Sequence, residues 1–361
     1  MNYLLKKTSK LLLLVITFYS ATSTAQVMTL SGKLLDTVFL SRYIQMQMDS
    51  LKITGTAVCI LNHNQVVYQH DFGYANLEQK RPVTSTTLFE AASMTKPLFA
   101  YYVNWLAQKG LIDLNKPLYQ YLPLPDLDYD SRYKKITARM VLSHTSGLPN
   151  WRADNRGQEL DIKFEPGTQF SYSGEGYDYL AKVVAVITHS NAVTLGARIR
   201  RDLFVPLGMQ ASYLVWQDGL ETRLATGYED GKTPREIWKP KVVNAASSLL
   251  TTCTDYARFL SAVLGYKLLS KSSTDRMLTK QIKLPPGHII TQYFGWTDWA
   301  MGFAVKPTPY GEVFAHGGTN EDFQSNFMID RKTGTGFVSM TNSNHGHELN
   351  KKVEALLING Q

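Results

Sequence analysis

Cysteine is scarce. The 361 residues hold two, Cys59 and Cys253, far apart in the chain. That excludes a disulfide scaffold, and neither thiol stands among other metal-ligating residue types. Their apolar neighbours read as buried free thiols rather than a bridge. Long hydrophobic runs are missing as well. The apolar stretch Leu11 to Tyr19 is too short to span a bilayer, so no transmembrane anchor is expected. Lysine and arginine exceed the acids but form no dense block, which argues against nucleic acid as a partner. The dense histidine cluster His345-Gly346-His347-Glu348 lacks the further ligands of H-E-x-x-H or H-x-H-x-D. No metal and no cofactor is therefore expected. No G-x-S-x-G occurs, which removes the nucleophile elbow of the α/β-hydrolases. Internal repeats and low-complexity tracts are absent.

What is present begins with a leader. Lys6, Lys7 and Lys10 precede the short apolar core, and Ser23-Thr24-Ala25 offers a small-residue cleavage site before Gln26. Residues 1–25 read as a signal peptide, and the mature chain is expected in the periplasm or outside the cell. Losing three lysines and no acids lowers the formal net charge from +8 to +5. Such a modest excess suits an acidic cell-envelope polymer.

The remaining length allows one large domain or two intertwined ones. Helical periodicity runs from Gly32 to Ser50. Thr56 to Asn62 and Gln65 to Tyr74 read as strands joined around Asn62-His63-Asn64. The middle is helical, broken by Leu122-Pro123-Leu124-Pro125, Gly147-Leu148-Pro149 and Glu165-Pro166-Gly167. Strand patterns return from Glu312, and His347 to Leu357 reads as a closing amphipathic helix. The expected fold is α/β: an antiparallel sheet built from both termini (26–92 and 246–361), flanked by helices, with a mostly helical domain (93–245) inserted.

Three clusters carry chemistry. Ser93 and Lys96 in Glu90-Ala91-Ala92-Ser93-Met94-Thr95-Lys96-Pro97 share one helix face. A lysine that gives up its proton can activate a hydroxyl for attack on a carbonyl. Pro97 has no N–H and fits only near a helix start, which places Ser93 where free amides and the positive dipole end gather. Ser131-Arg132-Tyr133-Lys134 repeats the spacing, but follows Asp126, Asp128 and Asp130 in an exposed, Pro-rich loop where a lysine stays protonated. The second cluster, Phe170-Ser171-Tyr172-Ser173-Gly174-Glu175-Gly176-Tyr177, can present the Tyr172 phenol in a cleft for proton transfer. The third, His316-Gly317-Gly318-Thr319, follows the strand Val313-Phe314-Ala315. Its glycines let a substrate backbone come close, and the amide beyond can serve as half of an oxyanion hole.

The order and spacing of these clusters resemble the serine β-lactamase and penicillin-binding-protein superfamily, in which S-x-x-K and K-T-G are signatures. The likeness is strongest to the class C-like branch, with its AmpC-type β-lactamases, D-Ala-D-Ala carboxypeptidases, D-aminopeptidases and family VIII esterases. Gly110-Leu111-Ile112-Asp113-Leu114 through Tyr121-Leu122-Pro123, Ile136 through Pro149, Phe164-Glu165-Pro166-Gly167, Pro206-Leu207-Gly208-Met209 and Ser247 through Phe259 extend it over nearly the whole mature chain. The resemblance implies Ser93 as the acylated nucleophile, Lys96 as its base and Tyr172 as the phenol that accepts and returns protons. His316 would take the place of the K-T-G lysine, and the amides of Ser93 and Thr319 would form the oxyanion hole. His144 is read as holding a loop.

Two departures stand out. The family's second motif is Y-x-N, and here it is Tyr172-Ser173-Gly174. The missing asparagine would donate to a substrate amide carbonyl. His316 replaces a permanent cation with a group that is neutral much of the time near pH 7, and whose protonation is expected to set preference for carboxylated substrates. The leading expectation is a secreted, monomeric serine hydrolase that forms an acyl-enzyme with an ester or small D-amino-acid amide. A β-lactamase, or a penicillin-recognition domain with slow or no turnover, are the alternatives.

Overall fold

The computed structural model describes residues 26–155 and 159–360. The leader expected at 1–25 lies outside them. Among the described residues no helix is long and apolar enough to cross a membrane.

Helix α1 (Thr37–Leu51) starts later than its apolar periodicity, because Asp36 caps it by accepting the amides of Val38 and Phe39. It buries Leu40, Ile44 and Met48, four residues apart and so on one face. Strands β1 (Gly55–Asn62) and β2 (Gln65–Asn76) follow as the expected hairpin. Its turn residues His63 and Asn64 both have positive φ, as a tight two-residue connection with the strands' own twist requires.

The sheet has nine strands. Two-residue β3 (Arg81–Pro82) ends the N-terminal group, and β4 (Ile282–Lys283), β5 (Asp298–Trp299), β6 (Ala304–Thr308), β7 (Gly311–Thr319), β8 (Gln324–Asp330) and β9 (Thr335–Thr341) come from the other end of the chain. Their order is β4-β5-β6-β7-β8-β9-β1-β2-β3, antiparallel throughout. The expectation that strands resume at Glu312 is corrected by β4 to β6. Strands β4 and β5, at two residues each, are too short to display alternation.

Between the two strand groups lie mainly helices and turns, among them α2 (Thr95–Gln108), α3 (Gly174–Ile187) and α4 (Cys253–Leu264). The chain closes on α5 (Gly346–Asn359). Strand β1 is buried on both faces, so its side chains divide between two cores. Val58 and Ile60 pack with α1 and with Leu349 and Val353 of α5. Ala57, Cys59 and Leu61 face the larger core that holds α2 and α4. Cys59 and Cys253 are buried free thiols in that core, as their neighbours suggest.

Candidate active site

Ser93 sits in a 3₁₀ turn, Ala92–Met94, that runs straight into α2. Ala92 before it has φ +46°, a strained value for a residue with a Cβ. The turn is held from outside. Leu249 accepts the Ala91 amide at 2.9 Å and donates its own amide to Thr95 Oγ1 at 3.0 Å, and the Tyr256 hydroxyl donates to the Met94 carbonyl at 2.9 Å.

Lys96, in the first turn of α2, has no exposed surface. Its Nζ lies 3.2 Å from Ser93 Oγ and donates to the Ala246 carbonyl at 3.0 Å. The ring of Tyr172 is 4.6 Å from Nζ. No salt bridge reaches Lys96 among the described residues. Burial without a counter-charge disfavours the ammonium and pulls its pKa down to about 7. Burial holds the Tyr172 phenol well above its usual range, and the neighbouring Ser93 hydroxyl offsets that only in part. Tyr172 is therefore a neutral phenol at rest rather than a phenolate, and the basic lone pair resides on Lys96. By contrast, Ser131 and Lys134 are both exposed.

The third cluster, expected to follow the strand Val313-Phe314-Ala315, is the end of that strand, β7. His316 through Thr319 pair with β8 on one side, from His316 opposite Phe327 to Thr319 opposite Gln324. On the other side β6 reaches only to Ala304, opposite Ala315. Among the described residues, the last four of β7 thus leave one edge unpaired beside the Ser93 turn. The close approach depends on Gly318, where a Cβ would meet the Ala91 carbonyl oxygen at 2.1 Å. Thr319 is exposed at the tip, and its Oγ1 is hydrogen-bonded to His347 Nε2 at 2.7 Å.

His316 reaches this group in a form the sequence did not suggest. It is 1% exposed, and its Nδ1 is 2.7 Å from the Gly317 carbonyl, so Nδ1 carries the proton. Burial, then the neighbouring Lys96 charge, pushes its pKa down to about 3. Trp296 and Trp299 pack around the ring. Burial and a lowered pKa weigh against the expected role of His316 as a titrating anchor for substrate carboxylates.

Comparisons with known proteins bear on the family and the fold. The family model described as Beta-lactamase matches residues 40–359. The chain belongs to the β-lactamase family. Penicillin-binding protein 4* of Bacillus subtilis is 27% identical over 265 residues, covering 64% of this chain and 56% of that protein. The chain thus spans little over half the length of that relative. An octameric penicillin-binding protein homologue from Pyrococcus abyssi superposes with TM-score 0.76 at 23% identity, covering 90% of this chain and 77% of that one. D-alanine carboxypeptidase AmpC from Burkholderia cenocepacia gives TM-score 0.74 at 21% identity, covering 89% and 98%. At those identities the likeness establishes the shared fold.

Within this β-lactamase-family fold, the position that lacks the Y-x-N asparagine is already filled. Gly174 opens α3, and Asn150 receives its amide through both the backbone oxygen (3.0 Å) and Oδ1 (3.1 Å). A Cβ on Gly174 would meet the Trp151 ring at 2.7 Å and the Asn150 carbonyl at 2.8 Å. Gly174 does not have a positive φ; space, not backbone conformation, dictates glycine. Restoring the motif with Gly174→Asn is therefore expected to destabilise the protein by about 1–3 kcal/mol, as overpacking does, with no gain in cephalosporin turnover. Thermal unfolding and a chromogenic cephalosporin assay check both parts.

Sequence reasoning passed over Glu90, three residues before Ser93. It lines a cavity of about 760 Å³ beside Thr319, together with Glu236, Glu321 and Asp322. The single lining arginine, Arg235, is already paired with Glu229 and Glu321. Burial, then Asp322 nearby, pushes the Glu90 carboxyl up to about 7, and Asn320 donates to it. Its nearness to Ser93 was visible, but the acids that join it come from segments far along the chain. His345 and His347 diverge, His345 pairing with Asp230 at 3.0 Å.

Proposed function

We propose that the protein is a secreted serine hydrolase that cleaves an ester or small D-amino-acid amide through an acyl-enzyme on Ser93. The observation that carries this is the buried Lys96 amine at 3.2 Å from Ser93 Oγ, with the Tyr172 ring 4.6 Å from the same nitrogen.

In the proposed sequence the Lys96 lone pair takes the Ser93 proton as Oγ bonds to the substrate carbonyl carbon. The amides of Ser93 and Thr319 receive the oxyanion. As the bond to the leaving group breaks, Tyr172 gives its proton to the departing oxygen or nitrogen and regains one from the Lys96 ammonium. Water then attacks the acyl carbon, loses a proton to the same pair, and returns Ser93 to its hydroxyl form. The free edge of β7 is where an extended substrate, such as a cell-wall peptide, would lie.

The acidic cavity beside Thr319 supports an ester or amide over a carboxylated β-lactam, since its carboxylates repel an anion and Arg235 is already paired. Trp151 in place of the missing amide acts in the same direction. A lost hydrogen-bond partner for the acylamido carbonyl costs about 1–3 kcal/mol, roughly ten- to a hundredfold in rate. Side-by-side kcat/KM values with a p-nitrophenyl ester, a chromogenic cephalosporin and D-Ala-D-Ala peptides are the test. The ester is expected to exceed the cephalosporin, and equal or faster cephalosporin turnover would make the β-lactamase reading the better one.

The charge states predict the pH profile. The free base of Lys96 is the productive form, so kcat/KM should be flat above about pH 7 and fall as pH drops through its pKa of about 7. His316 and His144 stay neutral across that range, their pKa values lowered mainly by burial. Glu90 titrates nearby at about 7, so the decisive comparison is Glu90→Gln. That variant should keep the limb. Its disappearance would assign the titration to Glu90.

A further inference from the structure

We propose that His144 is a positioning residue for the Tyr172 phenol, gripping the chain on both sides of the tyrosine and backing its ring. This rests on the proton-donor role given to Tyr172 above.

The grip has three parts. The His144 carbonyl accepts the Ser171 amide at 2.8 Å, and its Nδ1 accepts the Ser173 amide at 3.0 Å. One residue therefore holds the backbone amides of Ser171 and Ser173, the residues on either side of Tyr172. The imidazole also stacks on the phenol, with centroids 4.2 Å apart and planes 30° from parallel. Ser173 is fixed further as the cap of α3 and through its hydroxyl, which donates to the Pro149 carbonyl at 2.9 Å.

The arrangement is held against local cost. His144 has φ +57°, a conformation that disfavours most residues with a Cβ. Nδ1 accepts a hydrogen bond, so the proton of the neutral ring is on Nε2, which is buried with no hydrogen-bond partner among the described residues. Trp299, Tyr177 and Phe170 surround the ring. An unpaired buried N–H is normally avoided. Here it accompanies the one tautomer that can receive the Ser173 amide. The charged or titratable groups facing it are Lys96, His316, Tyr172 and Tyr177, and burial leaves the ring neutral.

The chemical consequence is selective. Proton donation matters for a leaving group that departs as a strong base and little for one that leaves as a stable anion. A misplaced Tyr172 should slow methyl ester cleavage far more than p-nitrophenyl ester cleavage, whereas a general loss of fold lowers both alike.

The test compares His144→Asn with wild type on methyl and p-nitrophenyl esters of one acyl group, each corrected for the fraction of Ser93 labelled by a fluorophosphonate. Asparagine tolerates the left-handed backbone and keeps an acceptor oxygen, but removes the stacking ring. His144→Phe keeps a ring and removes the acceptor, and is read in the same way should the first variant not fold. The expected result is a loss at least tenfold larger for the methyl ester. In a Tyr172→Phe background the extra loss should vanish, because the two residues act as a unit. Equal losses for the two esters, or additive effects with Tyr172→Phe, would overturn the inference while leaving the hydrolase reading intact. A wild-type enzyme that turns over neither ester would remove that reading itself.

Discussion

Lys96→Arg is expected to lower kcat/KM by about 10²–10⁴-fold on every substrate, whatever its leaving group, with the protein still folded. The magnitude is that of removing a general base. Arginine keeps a positive charge that it does not surrender in proteins, so the variant separates charge from basicity. The wild-type amine has its pKa lowered to about 7 by burial alone and sits 3.2 Å from the hydroxyl that it would deprotonate. Retention of more than about a tenth of wild-type kcat/KM, a loss below about 1.4 kcal/mol, would show that Lys96 is not the base. Circular dichroism on the same sample guards against a misfolded variant.

Gly318→Ala should produce the second large effect. Its added Cβ would lie 2.1 Å from the Ala91 carbonyl oxygen, whereas ordinary contact begins at 3.4 Å. Strand β7 and the nucleophile turn must then part by about 1 Å or more. The Thr319 amide, proposed above to receive the oxyanion, travels with the strand, and a displacement of about 1 Å can cost about a hundredfold in rate. Stability should fall as well, by about 1–3 kcal/mol from overpacking. Gly317→Ala is the control. A Cβ there meets nothing nearer than 3.4 Å, so its loss should be far smaller. Similar losses at the two glycines would contradict the close-approach argument.

Much of this site was legible because its parts are local. Ser93 and Lys96 are one helical turn apart, and Pro97 marks the helix start; the structure puts them in that relation. The hairpin around His63 and Asn64 was legible from short-range turn chemistry, and α1 and α5 from apolar periodicity. What escaped depends on residues distant in sequence. The neutrality of His316 comes from Trp296, Trp299 and the burial they complete, none of which its own neighbours announce. The glycine at 174 reads as a missing asparagine until Trp151 is seen occupying the space. Strands β4 and β5 are two residues long and carry no period to detect. His144 was visible as part of a distinctive block, but its hold on Ser171 and Ser173 spans 27 and 29 residues.

Ser93 is the residue expected to become acylated. Peptide mass mapping after reaction with a fluorophosphonate tests it most directly. A single adduct on the peptide carrying Ser93, absent in Ser93→Ala together with all turnover, is the predicted result. An adduct on Ser131, or a Ser93→Ala variant that hydrolyses its substrate at the wild-type rate, would contradict it.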